Sequence, residues 1–267
     1  MNRAKRVLIG LALVMVCGFF VWEFSRARDP FIRGHRLSSW LIVLSKNPEG
    51  TSSYNAAVEA IREAGTNGLP LMVHMLQRQD TSASQLAAWV LRKQHVVHAK
   101  WTMAWDVRLA ALRGLKLLGP EAEPVAPTLG ELMCVTNVTM EATLALLQMG
   151  RPALREFHNA LTNQEPTVRN WATVGIRQLH NDPIVGWGTK AEDAAWDKVL
   201  VRPLLLLLTD NQARDGARGA LLAIIRTDRD TAIPEIAEGL KNPNRDVSEQ
   251  AAKLLALATP FQSPTTR

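Results

Sequence analysis

The stretch Val107–Gly119 reads Val-Arg-Leu-Ala-Ala-Leu-Arg-Gly-Leu-Lys-Leu-Leu-Gly. Its apolar residues recur every three or four positions, which places them on one face of an α-helix, and a glycine ends the run. A second stretch with helical spacing, Pro124–Met133, follows closely. One pair of amphipathic helices cannot bury its apolar faces alone, so neighbouring pairs must stack and share a core. This part of the chain therefore predicts a stack of helix pairs.

The order of two helices and a break at glycine, proline or asparagine recurs along the chain. The predicted second helices are centred near residues 59, 112, 144, 173, 219 and 251. If residues 80–104 and 181–196 are insertions, the unit is about 30–32 residues, within the range of stacked helical repeats. No run alternates apolar and polar residues for long enough to predict a strand. Residues 30–258 are therefore predicted to form an all-α solenoid of about six helix pairs.

Three prolines support this repeat, because each stands six residues before the last apolar residue of a predicted first helix. Proline is tolerated in a first helical turn, where its missing N–H has no intrahelical partner. The pattern therefore places Pro70, Pro127 and Pro234 in first turns. Residues 259–267 contain two further prolines and are predicted to be a flexible tail.

Leu204–Leu208 is a run of five consecutive leucines. Such a run predicts a first helix that its neighbours cover on nearly all sides, because an exposed face would normally carry polar residues. On this interpretation Leu206 is a core residue. A Leu206→Asp substitution would then unfold the C-terminal pairs.

An apolar segment precedes the predicted solenoid. Val7–Trp22 carries no charged side chain, and basic residues flank it on both sides. Its length is near the short limit for a membrane span, so residues 1–28 are interpreted as a signal anchor that enters the membrane through residues 7–24. A cleaved signal peptide, a lipoprotein modified at Cys17 and a buried core helix are the alternatives. The short N-terminal flank favours a single-pass protein with an extracytoplasmic solenoid, and cleavage would make the protein secreted.

The net charge of +6 is concentrated at the start of the chain. Residues 1–36 contain seven basic and two acidic residues and carry +5, so the remaining residues carry only +1. This distribution disfavours nucleic-acid binding by the solenoid. Cys134 is the single cysteine of the predicted solenoid. No disulfide can form within it, which leaves the cellular compartment open.

The first insertion contains no acidic residue between Asp80 and Asp106. Tryptophans among basic side chains are typical of surfaces that bind an acidic partner or lipid headgroups. An extra helix over residues 84–97 with a solvated basic face has the same pattern and is the alternative. The candidate partner-binding residues are Trp89, Arg92, Lys93, His95, His98, Lys100, Trp101 and Trp105.

No catalytic or metal-binding motif accompanies these residues. His95 and His98 have the spacing of one helix face, but no cysteine or carboxylate stands near them in sequence to complete a structural metal site. Glu121 and Glu123 are too closely spaced to share a helix face. The sequence has no glycine-rich phosphate loop and no Gly-x-Ser-x-Gly motif. It therefore predicts no enzyme, cofactor or small-molecule substrate.

Short motifs at predicted helix starts resemble the second helix of HEAT repeats. Asp106-Val107-Arg108 and Thr167-Val168-Arg169 open their helices in this way, and Leu208–Arg214 is similar with alanine in place of valine. In HEAT repeats the aspartate caps the helix and the arginine pairs along the stack. The resemblance implies a row of such arginines that ends at Ser248. The motif residues in this chain are Asp106, Arg108, Arg169, Asp210, Arg214 and Asp246.

The stretches Phe31–Leu41 and Ile61–Pro70 are also similar to the start of anchored bacterial HEAT-repeat proteins that have no firm functional assignment. This resemblance covers residues 31–258. It implies a membrane-tethered, non-catalytic scaffold for protein–protein interaction, and it leaves the protein partner unnamed. The alternatives are a HEAT-like repeat enzyme similar to bilin lyases, and a module that binds anionic lipid surfaces through the first insertion.

Overall fold

The computed structural model of the protein describes residues 29–80, 103–135, 137–181 and 190–258. The predicted anchor at residues 7–24, most of the first insertion and the predicted tail lie outside these ranges. Within them, no helix combines the length and apolar character that a membrane crossing needs.

Twelve α-helices account for most of the described residues. They are α1 (Leu37–Lys46), α2 (Ser52–Ala64), α3 (Leu69–Leu76), α4 (Ala104–Leu118), α5 (Ala126–Met133), α6 (Thr139–Met149), α7 (Ala153–Ala160), α8 (Pro166–Asn181), α9 (Lys190–Leu207), α10 (Arg214–Thr227), α11 (Arg229–Glu238) and α12 (Arg245–Ala258). Short 3₁₀ turns at Gly65–Gly68, Gly119–Val125 and Gly239–Lys241 adjoin α3, α5 and α11.

The helices form an α-solenoid of six pairs within the described ranges. Each odd-numbered helix packs on the even-numbered helix that follows it, from α1 with α2 to α11 with α12. The second helices α2, α4, α6, α8 and α10 contact one another in chain order and form one continuous layer. From α5 onwards the first helices form the opposite layer, in which α5 contacts α7 and α9 contacts α11, whereas α1 also packs directly on α4. The predicted α-solenoid is confirmed for the described residues.

The core repeats with the pairs. Five second helices bury residues at offsets 0, 4, 7 and 11 from a small apolar residue at the helix start, the spacing of one helix face. The residue at offset 4 is alanine in all five, which lets adjacent helices approach closely. The starting residues are Val107, Val138, Val168, Ala213 and Val247, and the alanines are Ala111, Ala142, Ala172, Ala217 and Ala251.

Glycines allow the closest helix contacts. A Cβ atom at Gly216 of α10 would lie 2.0 Å from the Thr173 hydroxyl oxygen of α8. A Cβ atom at Gly175 would lie 2.5 Å from the ring of Phe157, which is fully buried. Both positions need glycine because there is no space for a side chain between the helices.

The leucine run in α9 is less buried than the sequence predicts. Leu204, Leu205, Leu207 and Leu208 are buried, but Leu206 is 49% exposed. The helix begins at Lys190, well before the run. Its rotation about its own axis turns Leu206 towards solvent. The interpretation of Leu206 as a core residue is wrong, because five consecutive residues cover more than one full turn of a helix.

The proline pattern holds for two of the three predicted first helices. Pro70 and Pro127 lie in the first turns of α3 and α5. Pro234 instead lies inside α11, which begins at Arg229. The Asp228 side chain caps this helix by accepting a hydrogen bond from the Thr231 N–H at 3.4 Å, so an extra turn precedes the proline.

A two-residue hairpin, which the sequence pattern did not predict, precedes α1. Strands β1 (Phe31–Ile32) and β2 (His35–Arg36) are antiparallel, and the connecting Arg33 and Gly34 both have positive φ angles. Strands of two residues are too short to show alternation in the sequence. Arg33 forms ion pairs with Glu59 and Glu63 of α2, which hold the hairpin against the first helix pair.

Candidate partner surface

Trp105 is the one predicted partner-binding residue within the described ranges; Trp89, Arg92, Lys93, His95, His98, Lys100 and Trp101 lie outside them. Trp105 is in the first turn of α4 and is 47% exposed. The guanidinium carbon of Arg108 lies 5.9 Å from the centre of its ring, within the range of a cation–π contact. The role of the basic insertion in binding stays a prediction.

The two acidic residues that bracket this insertion both bind the start of α4. The Asp80 carboxylate accepts a hydrogen bond from the Ala104 N–H at 3.0 Å. The Asp106 carboxylate accepts one from the Met103 N–H at 3.3 Å, the capping contact that the HEAT-like motif implies. The chain after α3 and the first turn of α4 are therefore joined by a hydrogen bond.

Two motif arginines bind acidic residues of the next helix pair. Arg108 of α4 pairs with Glu141 of α6 at 3.1 Å, and Arg169 of α8 pairs with Asp210 just before α10. Arg214 instead donates to the Leu208 carbonyl oxygen of its own pair at 2.9 Å. Among the described residues the buried Nε of Arg108 has no hydrogen-bond partner. The arginines thus connect successive pairs through carboxylates.

At the end of the series the motif changes. The Asp246 N–H donates to the Asn244 side-chain oxygen at 3.0 Å, so Asn244 caps α12. Ser248 occupies the position of the motif arginine and donates to the Arg245 carbonyl oxygen at 2.9 Å. Among the described residues no seventh pair follows, and the Ser248 hydroxyl forms its hydrogen bond within its own helix.

Asp210 accepts several hydrogen bonds. One carboxylate oxygen accepts from the N–H groups of Gln212 and Ala213 at 2.8 and 3.1 Å, and the other accepts from Arg169 Nε at 2.8 Å. Burial alone would raise the pKa of Asp210, but these donors outweigh it and lower the pKa below the ordinary value of 3.8.

This lowered pKa predicts a pH-dependent stability. Because the folded pKa lies below the unfolded one, Asp210 stabilises the fold above pH 3.8 and this contribution is lost as the pH falls through the folded pKa. We expect Asp210→Asn to lose less unfolding free energy than the wild type between about pH 6 and pH 3. Urea denaturation at a series of pH values measures this difference. Gln212→Ala keeps its backbone donor and should follow the wild type; parallel curves for all three proteins would contradict the assignment.

The second-helix face is the surface of α4, α6, α8 and α10 on the side opposite the buried residues of these helices. Its centre is apolar and half-buried, and four basic side chains surround this centre. The apolar residues are Met140, Leu144, Leu147, Val174 and Leu222, and the basic residues are Arg113, Lys116, Arg177 and Arg226. Asp215 is the one acidic residue at the matching positions of these four helices. Basic side chains therefore outnumber acidic ones on this face.

Local packing holds three of these basic side chains in place. Arg113 donates to the Ser45 carbonyl oxygen at 2.5 Å, at the carboxyl end of α1. Arg226 donates to the Asn181 side-chain oxygen at 2.9 Å. Arg177 lies over Gly219 of α10, where a Cβ atom would be 2.8 Å from its Cδ. In the described part of the chain, no carboxylate lies within ion-pair distance of Lys116 or Arg177.

The opposite layer contains a groove between α7 and α9. It has a volume of about 920 Å³, and its lining includes Arg155, His158, Trp196 and Val199. The rings of His158 and Trp196 meet edge to face, with centres 6.3 Å apart, and join its two sides. We call it the outer groove. No local motif predicts it, because the two rings come from residues 38 positions apart in the sequence.

A buried contact between His180 and Asp197 joins α8 and α9 beside this groove. His180 Nε2 lies 2.7 Å from Asp197 Oδ1, and both side chains are only 4% exposed. The other ring nitrogen lies 2.8 Å from the Ile176 carbonyl oxygen. Since a carbonyl oxygen only accepts, Nδ1 is the donor in this hydrogen bond. The sequence offers no signal for this pair, because His180 and Asp197 lie on different helices.

Within the described ranges, no three histidine, cysteine or acidic side chains are grouped so that they could hold a metal ion. Cys134 is exposed, and its sulfur accepts a hydrogen bond from the Asn163 side chain at 3.3 Å.

No model of a protein family matches the chain, and no curated protein matches it in sequence. Among solved structures, a designed armadillo repeat protein is similar at 16% identity with a TM-score of 0.39, over 82% of this chain and 99% of that one. An engineered structural-genomics target is similar at 17% identity with a TM-score of 0.33, over 84% of this chain and 96% of that one. The solenoid itself is established by the helix contacts of this chain.

Proposed function

We propose that this protein is a non-catalytic, membrane-tethered scaffold of the HEAT type whose second-helix face binds an acidic segment of a partner protein. The observation that carries the proposal is the composition of this face. Half-buried apolar side chains on α6, α8 and α10 occupy its centre, and basic side chains on α4, α8 and α10 flank them. Apolar contacts supply affinity and the surrounding charges select the partner, as is usual at protein interfaces.

The dimensions of the face favour an extended segment. Packed helices lie about 8–10 Å apart, so the three steps from α4 to α10 cover about 24–30 Å. An extended chain of about seven to nine residues has this length. The apolar centre favours protein over nucleic acid, whose phosphate backbone would require basic residues along the whole path.

The membrane tether is the apolar segment at residues 7–24, with the solenoid on the extracytoplasmic side. Fixing the scaffold to a membrane would raise its effective concentration towards other membrane-bound partners. The absence of a catalytic motif in the sequence and the pairing of Arg108 and Arg169 with acidic residues between helix pairs support a structural role for the motif residues.

Selection from a library of extended peptides about nine residues long tests the proposed face. The full chain in neutral lipid nanodiscs is the target, and enriched peptides should combine acidic and apolar residues. The double variant Lys116→Glu/Arg177→Glu should bind the enriched peptides at least about tenfold more weakly. Two attractions between opposite charges become repulsions in this variant.

A control variant and circular dichroism complete the experiment. Arg78→Glu/Arg245→Glu changes the net charge equally, but both residues lie off the second-helix face; this variant should bind like the wild type. Circular dichroism should show the same helix content for both variants. A failure to enrich any peptide, or equal losses in both variants, would count against the proposed face.

A further inference from the structure

We infer that the outer groove and the adjoining surface of α9 bind a short, acidic, amphipathic helix from a second protein. This site lies on the layer opposite the second-helix face. The protein would therefore hold two partners at once, one on each layer. The inference goes beyond the proposed function, because it stands on separate residues and on a different kind of ligand.

The first evidence is an exposed apolar row on α9. Val199 and Leu206 are 48% and 49% exposed, and seven residues separate them, which places them on the same side of the helix two turns apart. Trp196 lies at one end of this row, half-buried in the outer groove. Single exposed leucines are common, but a row of large apolar residues marks a binding surface.

The shape of the surface fits a helix. The first-helix layer is interrupted between α7 and α9, where the outer groove lies, although α5 contacts α7 and α9 contacts α11. A second depression of about 400 Å³ between α9 and α11 includes Leu206. The apolar row thus runs from one depression to the next over about 10 Å, or two helical turns. An amphipathic helix carries apolar residues at this repeat and can insert them on both sides of α9.

The charges beside the row select an acidic partner. Arg155 borders the outer groove and Arg202 borders the second depression. Neither arginine forms an ion pair with another described residue. The carboxylates near Leu206 are already paired, Glu235 with Lys198 at 3.6 Å and Glu238 with Lys241 at 2.8 Å. Glu123 at the far edge of the outer groove is the remaining acidic residue of its lining. Among the side chains that the structure describes, the uncompensated charge along the row is therefore positive.

The recessed position of Trp196 distinguishes this surface from a lipid-binding one. Trp196 is half-buried, and its ring contacts His158 across the groove. A side chain in this position can accept an inserted residue, whereas binding to a bilayer surface requires tryptophans and leucines that project outwards.

A library of amphipathic helices about three turns long, with randomised polar positions, tests the inference. The full chain in neutral lipid nanodiscs is again the target, and empty nanodiscs remove peptides that bind lipid. Enriched helices should be acidic on the flanks of their apolar stripe. Val199→Asp/Leu206→Asp should weaken their binding at least about tenfold, because the apolar contact is lost and acidic residues now face one another.

The two proposals can fail separately. Lys116→Glu/Arg177→Glu should keep the affinity for the selected helices, and Val199→Asp/Leu206→Asp should keep the affinity for the extended peptides.

Basic enriched helices, no enriched helix, or unchanged binding by Val199→Asp/Leu206→Asp would each overturn the inference. Sedimentation of a dimer that this variant dissociates would assign the surface to a second copy of the chain. Loss of anionic-vesicle flotation in the variant would assign it to lipid. Either result would also overturn the inference.

Discussion

Leu204→Asp is expected to unfold the C-terminal helix pairs, whereas Leu206→Asp in the same helix should leave them folded. Leu204 is fully buried between the layers, and Leu206 is 49% exposed. The first substitution removes a core leucine, which alone costs about 2–5 kcal/mol, and it places a carboxylate in an apolar site. The second places the same carboxylate in water. We expect a loss of at least about 4 kcal/mol for Leu204→Asp and of less than about 1 kcal/mol for Leu206→Asp.

Urea denaturation followed by circular dichroism measures both losses. Because each pair of a solenoid contacts only its neighbours, the damage should stay near α9. Limited proteolysis of Leu204→Asp should therefore cut within α9–α12 before it cuts within α1–α6. Equal stabilities of the two variants would show that the rotation of α9 is wrong.

The second helices could be predicted from the sequence with good accuracy. Their apolar residues keep a helical spacing, and several end at a glycine such as Gly119 or Gly150 with positive φ. The rotation of α9 could not be predicted, since five adjacent leucines carry no information about which of them faces outwards. It depends on the contacts of α9 with α10 and α11, which are formed only in the folded stack.

The candidate surfaces were less predictable. Asp210 could be recognised as a helix cap from its place in the HEAT-like motif, but its pairing with Arg169 of the preceding repeat needs the stack. Glu141 gave no signal, because an acidic residue in the first turn of a helix is normally exposed, whereas Glu141 is buried. The outer groove combines α7 and α9, and the second-helix face combines four helices, so neither forms a local pattern.

Removal of one member of the buried His180–Asp197 pair is expected to cost several kcal/mol of unfolding free energy. Asp197→Ala removes the carboxylate that the buried His180 Nε2 contacts, and His180→Ala removes the ring nitrogen that the buried Asp197 carboxylate contacts. Breaking such a pair typically costs about 3–5 kcal/mol, because the remaining group stays desolvated. We expect each single variant to lose about this much unfolding free energy.

The double variant His180→Leu/Asp197→Leu separates the cost of an orphaned partner from the value of the pair itself. The double variant removes both members of the pair at once and orphans neither of them, so the loss should be smaller than the sum of the two single losses by at least about 1 kcal/mol. Lys198→Ala removes only an exposed ion pair beside Asp197 and should change stability by less than about 0.5 kcal/mol. Because the pair holds α9 against α8, Asp197→Ala should also weaken the binding of helices selected on the outer groove. Additive losses, together with unchanged helix binding, would mean that the pair neither couples the two helices nor positions Trp196.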